Sequence, residues 1–465
     1  MNQSSSQIHV AIVGHTNTGK TSLLRTLTRN RTFGQVADEA GTTRHVEPAS
    51  CWLDGRPVLT WYDTPGLEDS MSLRDRIDAL GRAERLDGLD RIERFLQDPQ
   101  AKQDFEQESR VLQQVTKSDA VLYVIDAREP VLPKYRDEIY LLAACGKPVI
   151  PVLNFTASSA ADEQLWVRSL ARLGLHLYLR FDTVSPPIDG EALVFRMLAQ
   201  LLETHRETLQ KLAEETSRAR ARRRRDALAL IAGLLVDAAA LRDYCESGEQ
   251  AIAHAVSQQQ MAVRAAEQRC VDALLLLFQF GRDDYLSTDL PWSQGSWDTD
   301  PFSKEAMVDL GIHLGKGAAA GALAGVAIDV LSAGLSLGTG TLIGAAAGTA
   351  WQGLERWGSQ IWAKLRGQHT LCVSDEVLLV LAARQLQLLD ALEHRGHAAQ
   401  GPLRARESWS TEALEGERLL KALALPRRHE EWSSIKPGYE EGPTRQRAVQ
   451  EVADILFSAL QHKDS

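Results

Sequence analysis

The sequence predicts an α/β fold, a mostly parallel sheet flanked by helices, over residues 1–203, followed by a mainly α-helical C-terminal region. Three observations carry this. An apolar run, Ile8 to Val13, passes through a glycine-rich turn into the helical pattern Ser22–Leu27. A second strand-like run, Val58–Tyr62, ends in a polar turn. From residue 204 the apolar spacing changes to a 3.6-residue period with abundant Ala, Leu, Glu and Gln.

The first turn reads Gly14-His15-Thr16-Asn17-Thr18-Gly19-Lys20-Thr21-Ser22. Strand, GxxxxGK[ST] and helix in that order form a phosphate-binding loop. Its glycines let backbone N–H groups converge on phosphate oxygens at a helix N-terminus. Lys20 is expected to reach the β- and γ-phosphates and Thr21 to hold Mg²⁺. One loop downstream, in Gly41-Thr42-Thr43-Arg44, Thr43 is placed to swing onto the metal and the γ-phosphate. The strand Val58–Tyr62 ends in Asp63-Thr64-Pro65-Gly66. There Asp63 can orient a metal-bound water, and the Gly66 N–H can sense the γ-phosphate. These spacings predict a nucleoside-triphosphate site with Lys20, Thr43 and Gly66 as its reacting end and Thr21, Thr43 and Asp63 around the metal.

GHTNTGKT, GTTRH and DTPGL together resemble the signature of the Era/TrmE-like branch of translation-factor-class GTPases, over roughly residues 7–200. The resemblance implies a P-loop GTPase that binds GTP and GDP with Mg²⁺. In potassium-stimulated members an asparagine at the position of Asn17 helps to bind K⁺. Leu67 follows the DxxG glycine where Ras-like enzymes carry a water-positioning glutamine, which implies low intrinsic turnover unless K⁺, a partner or self-association completes the site. Asn154-Phe155-Thr156-Ala157 departs from the family's base-reading NKxD: Asn154 remains while the lysine and aspartate are absent. Phe155 could still stack on a purine. Val184-Ser185-Pro186 resembles the last family motif, in which Ser185 would stand near the guanine O6. GTP is the favoured ligand; ATP or relaxed purine use stays open.

Between Gly66 and Asp119 the chain carries a long charged stretch, too long for an unstructured loop, and residues 67–118 are expected to hold two or three amphipathic helices. It is either a solvated insertion or a docking or activation device coupled to the switch. The chain has 465 residues, a net charge of −10 and five scattered cysteines. That argues for two or more domains, a reducing compartment, no structural zinc and no disulfide framework. His394 and His397 are too isolated to suggest a metal site. The polar start of the chain lacks an apolar signal core, which points to a cytoplasmic protein. The acidic balance makes nucleic acid an unlikely partner in bulk.

Three divisions are expected: the nucleotide domain 1–203, a helical arm 204–285, and a helical domain 286–465. The arm contains six arginines between Arg218 and Arg225, which face solvent, anionic lipid headgroups or nucleic acid. Within 311–350, Gly317, Gly321 and Gly325, and later Gly340, Gly344 and Gly348, recur every four residues, as in closely packed helices. This reads as a helical hairpin, either packed in protein or inserted at the inner membrane, with Trp351, Trp357 and Trp362 beyond it. Glu376–Leu392 is expected to be an amphipathic helix interrupted by Gln385, and Val449–Leu460 a short closing helix. The second half resembles the helical domain of unknown function found in bacterial Era-like GTPases. The functional expectation is a slow GTPase acting as a nucleotide switch, with an anionic membrane surface, a membrane protein or nucleotide-dependent self-association as its output. A non-hydrolysing nucleotide-binding scaffold and an RNA-binding GTPase are the alternatives.

Overall fold

The computed structural model describes residues 7–29, 46–82, 86–280, 292–293, 296–297, 299–309, 326–329, 368–396, 409–410 and 412–464. The chain divides into two compact units: Met1–Ala221 with His394–Gln400, and Arg222–Glu393 with Gly401–Ser465.

In the first unit, the strands are β1 (Ile8–Val13), β2 (Glu47–Leu53), β3 (Arg56–Asp63), β4 (Ala120–Asp126), β5 (Val149–Asn154) and β6 (Leu179–Arg180). They form one sheet in the order β2-β3-β1-β4-β5-β6. Only the β2–β3 pair is antiparallel; β1 runs parallel to β3 and β4, and β5 to β4 and β6. Side chains along β1 alternate between two cores, so the apolar run is continuous because both sheet faces are covered. Ile8, Val10 and Ile12 pack with Leu23, Leu24 and Leu27 of α1 (Lys20–Thr28) and with Val194, Phe195 and Leu198 of α8 (Gly190–Leu201). Ala11 and Val13 pack on the opposite face with residues of α6 (Pro133–Ala144), α7 (Glu163–Arg172) and the insertion.

The insertion holds four helices: α2 (Ser70–Arg82), α3 (Gly88–Gln97), α4 (Pro99–Asp104) and α5 (Glu106–Lys117). The sequence suggested two or three; the side-chain caps of Asp87 and Asp98 split it further by accepting from the first-turn N–H groups of α3 and α4. Leu73, Ile77, Ile92, Phe95, Val111, Leu112 and Val115 lie in the same core as Val13 and Tyr123. This insertion is therefore packed as part of the domain.

The division between units falls within α9 (Arg206–Ala240). In the second unit, α9 is followed by the strand β7 (Arg242–Glu246) and helix α10 (Glu249–Leu277). β7 pairs antiparallel with Gln368–Val373, which pairs in turn with Val326–Asp329. The helical reading of 204–285 did not contain β7, and the four described residues of 311–350 are strand rather than helix. Both depend on partners distant in the chain, which local apolar period does not report. The rest of the 311–350 hairpin, its glycine stripe and the three tryptophans lie outside the described residues, as do Thr43 and His397.

The helix Asp375–Glu393 is buried on nearly all sides: Val377 to Leu386, Leu388 to Leu392, and Gln385 among them. It is the central helix of the second core, covered by α9, α10 and the closing helix Pro443–Asp464, rather than amphipathic. In the arginine run, Arg218 pairs with Glu214 at 3.0 Å, and Arg224 Nε lies 2.8 Å from a Glu393 carboxylate that is 2% exposed. Part of the run is thus neutralised within the protein. Among the described residues no helix is long and apolar enough to cross a membrane.

Candidate nucleotide-binding site

The site forms where β1, β3 and β5 end. Parallel register places Asp63 beside Ile12 and Asn154 beside Asp126, so residues remote in sequence meet at one edge of the sheet. The turn after β1 delivers the phosphate-binding loop. Gly19 has φ +91°, and a Cβ there would overlap Asn154 Nδ2, so glycine is required on both conformational and steric grounds. Asn17 takes a left-handed φ of +65° and its side chain is exposed. Thr18 is buried and donates its hydroxyl to His15 O at 2.9 Å, closing the loop on itself.

Lys20 is 8% exposed and spans the loop, donating Nζ to Gly14 O at 3.2 Å and His15 O at 2.8 Å. Burial lowers its pKa, opposed by the nearby charges of Asp63, Glu138 and Glu68. Thr21 donates its hydroxyl to Asp63 Oδ2 at 2.5 Å. The other carboxylate oxygen, Asp63 Oδ1, is buried with no hydrogen-bond partner among the described residues. Burial pushes the Asp63 pKa up to about 6, against the Thr21 hydrogen bond and the positive charge of Lys20. A hydroxyl and a carboxylate in contact, with one oxygen left over, fit an oxygen-coordinated Mg²⁺. Ser22 sits one turn into α1, where its carbonyl accepts from Thr26.

The DxxG turn packs against the loop. A Cβ on Gly66 would overlap Thr16, whose hydroxyl donates to Glu68 Oε1 at 2.9 Å. The Leu67 N–H donates to Gly14 O at 3.3 Å, while its side chain is fully buried. His15 belongs to the predicted cradle, yet its side chain points into the protein. Its Nδ1 lies 2.6 Å from Leu67 O and 3.0 Å from Glu138 Oε1, so that nitrogen carries the donated proton. Its Nε2 accepts from Lys134 Nζ at 2.9 Å. Glu138 is fully buried and also accepts from the Tyr123 hydroxyl at 2.8 Å. Sequence reading did not single out Glu138. The signal was a carboxylate on the apolar face of a helix, with Tyr135, Ile139 and Leu142 at helical spacing around it.

Asn154 is fully buried and its amide is spent on the protein. Nδ2 donates to Thr18 O at 2.8 Å, while Oδ1 accepts from Phe155 N and Thr183 N, both at 2.9 Å. It ties the phosphate loop to the loop after β6. Phe155 follows with a φ of +57°, rare for a bulky residue, and Arg128 stacks over its ring at 3.9 Å. Asp182, absent from the sequence-level candidates, organises the last loop. Its Oδ1 accepts from Val184 N and Ser185 N at 2.9 and 3.1 Å, and its Oδ2 from Ala157 N at 2.9 Å. Ser185 is exposed and held through this backbone contact.

Residues 168–454 match the family described as a domain of unknown function (DUF3482), and residues 9–155 match the family described as 50S ribosome-binding GTPase. GTPase Der of Campylobacter concisus is 25% identical over 157 residues, 34% of this chain and 27% of that protein. The tRNA modification GTPase MnmE of Pelagibacter ubique is 48% identical over 61 residues, 13% of each. The chain therefore spans roughly a quarter or less of these curated relatives. A crystal structure of Aquifex aeolicus Era bound to GDP.AlF4- aligns with a TM-score of 0.29 and 23% identity, over 41% of this chain and 56% of that one. With one family covering most of its length and the other its first third, the chain belongs to the Era/TrmE-like P-loop GTPases that carry a C-terminal domain of unknown function.

Proposed function

We propose that the chain is a slow GTPase working as a nucleotide-dependent switch, with a nucleotide domain over 1–203 and helical regions 204–285 and 286–465 as its output. The observation that carries this reading is the Lys20–Thr21–Asp63 cluster with its unpartnered Asp63 oxygen. A buried carboxylate with an unpaired oxygen is destabilising by itself, so its retention at the end of β3 supports a ligand-binding role. Backbone N–H groups of residues 16–21 would surround the phosphates, and Lys20 would neutralise their charge from within the loop. Thr21 and Asp63, with Thr43, would hold Mg²⁺, which supplies charge stabilisation at the β- and γ-oxygens. Gly66 would offer its N–H to the γ-phosphate. Asn17 is exposed beside the loop, which suits a K⁺ contact in the triphosphate complex. Asn154 supports guanine or adenine equally well, because its amide braces loops; Phe155 offers a stacking face.

The test is turnover of GTP and ATP in K⁺ and in Na⁺, with Lys20→Ala as the blank. K⁺-stimulated GTP hydrolysis is expected; turnover no higher than that of the blank would refute the enzyme reading. A scaffold that binds nucleotide without hydrolysis is the second reading, and the complete burial of Leu67 favours it by leaving no polar side chain at that position. Tight GTP retention without product distinguishes it. For the output, an anionic membrane surface, a membrane protein and self-association rest on 311–350 and on the arginine run. The internal pairing of Arg218 and Arg224 weakens the membrane and RNA readings alike. Nucleotide-dependent sedimentation with anionic liposomes, and alone, separates these partners.

A further inference from the structure

The DxxG turn is gripped from two directions. From the phosphate loop, Gly14 O accepts from Leu67 N at 3.3 Å, and His15 lies 2.6 Å from Leu67 O. From the insertion, the half-buried Gln107 at the start of α5 donates Nε2 to Gly66 O at 3.1 Å. The neighbouring Glu108 is 7% exposed and accepts from Asp69 N at 3.3 Å. The next residue along the turn, Ser70, donates its hydroxyl to Lys134 O at 2.9 Å. Consecutive residues on α5 therefore hold both ends of the segment 66–69.

Gly66 has no side chain to fix its peptide planes, and Leu67 is committed to the core. The orientation of the turn is thus set by hydrogen bonds, and among the described residues Gln107 supplies the one that reaches Gly66 itself. α5 is a firm base for that bond, since Val111, Leu112 and Val115 are fully buried. The chain enters α5 through α3 and α4, where Ile92, Phe95 and Ala101 are equally buried. A change in the turn would therefore be felt along the packed insertion.

We propose that Gln107 is a positioning residue for triphosphate recognition: by holding the Gly66 carbonyl it fixes the Gly66–Leu67 peptide plane and so limits rotation at the Gly66 Cα, through which the adjoining Pro65–Gly66 plane presents the Gly66 N–H to the γ-phosphate, coupling the 67–118 insertion to the nucleotide state. The proposal rests on the nucleotide-switch reading above. A contact that favours one nucleotide state acts only through its differential affinity for the two. Losing Gln107 should weaken binding of the triphosphate and leave the diphosphate unchanged. One hydrogen bond of ordinary strength corresponds to about fivefold in affinity.

The experiment is calorimetric titration of GDP and a non-hydrolysable GTP analogue against the wild-type chain and three variants. Gln107→Ala removes the donor. Gln107→Glu keeps the shape but offers a carboxylate that cannot donate, and Gln107→Lys restores a donor on a side chain of similar reach. The expected result is about fivefold weaker analogue binding for Ala and Glu, GDP affinity unchanged, and partial recovery for Lys. Equal weakening of both nucleotides, or a Glu variant that behaves as wild type, would overturn the proposal while leaving the nucleotide-switch reading intact. A wild-type chain that binds neither nucleotide would overturn that reading and this proposal with it.

Discussion

Replacing Asp63 with asparagine isolates the cost of keeping a buried carboxylate at the end of β3. Asp63 is 1% exposed, and burial raises its pKa from 3.8 to about 6. A group whose pKa is raised on folding contributes stability that is fully present below about pH 3.8 and is lost as pH rises through about 6. The full difference is about 3 kcal/mol, of which about 1.3 kcal/mol is lost between pH 5 and pH 7. The assay is urea denaturation of the nucleotide-free protein at these two pH values, wild type against Asp63→Asn. Asparagine still accepts from Thr21 but does not titrate, and any fixed cost of its NH₂ group cancels between the two pH values. The wild-type chain should therefore lose about 1.3 kcal/mol more than the variant on going from pH 5 to pH 7. A parallel pH response would refute the argument that the buried Asp63 carboxylate is poorly satisfied. An opposite sign would mean that Lys20 and Thr21 satisfy it better than its burial suggests.

Further outcomes follow from other residues. Asn154→Ala should weaken GTP and ATP binding together, by about tenfold or more, because three loop-bracing hydrogen bonds go at once. A selective loss of GTP in a competition titration would make Asn154 a base reader instead. In the second unit, Arg384 and Glu267 form a buried pair at 3.2 Å, with Gln385 donating to the same Glu267 oxygen. Burial raises the Glu267 pKa and lowers that of Arg384, so the pair does not fully offset its own desolvation. Glu267→Leu alone should destabilise by about 3–5 kcal/mol, whereas Glu267→Leu with Arg384→Met should recover most of that loss in chemical denaturation. The Cys145 thiol, pushed up to about 12 by burial, and the fully packed Cys270 should resist iodoacetamide at pH 8 until the chain unfolds, as read by mass spectrometry.

The parts of the site that were legible in the sequence are those encoded within a few residues. Gly14 to Ser22 specifies its own turn, since strand, glycines and helix start lie side by side. Asp63 was found because its motif is also contiguous, and parallel pairing of β1 with β3 then brings it to Thr21. What escaped are partnerships that only packing creates. Gln107 meets Gly66 from across the insertion, and Glu138 reaches His15 from α6. His15 was expected to serve the cradle, and its side chain instead ties the loop to Leu67 and Glu138. Asn154 is placed to brace loops, a role its asparagine identity alone could not distinguish from base reading. In the second unit the helix Asp375–Glu393 was readable as a helix, but its burial on all sides was masked by Arg384, Gln385 and Asp390, whose polarity suggests an exposed face. β7 escaped for a topological reason: Cys245 faces His369, 124 residues further along the chain.

The distribution of buried polar groups also separates scaffold from site. β3, β4 and β5 each end in a polar residue: Asp63, Asp126 and Asn154, all at most 8% exposed. In an antiparallel sheet these termini would alternate between opposite edges; the parallel order β3-β1-β4-β5 gathers them at one. Asn154 is satisfied by backbone groups of neighbouring loops, and Asp126 holds Arg128, which stacks on Phe155. Asp63 is different, since one of its oxygens remains buried and unpartnered beside Lys20 and Thr21. A fold selected only for stability would replace that oxygen by a methyl group or pair it. Two strand ends thus brace the neighbouring loops, while the third retains an unmet bond at the position where the phosphate loop, Thr21 and the DxxG turn converge. That asymmetry supports the proposal that metal-bound phosphates sit at Asp63, with Gly66 and Gln107 beside it answering to their loss.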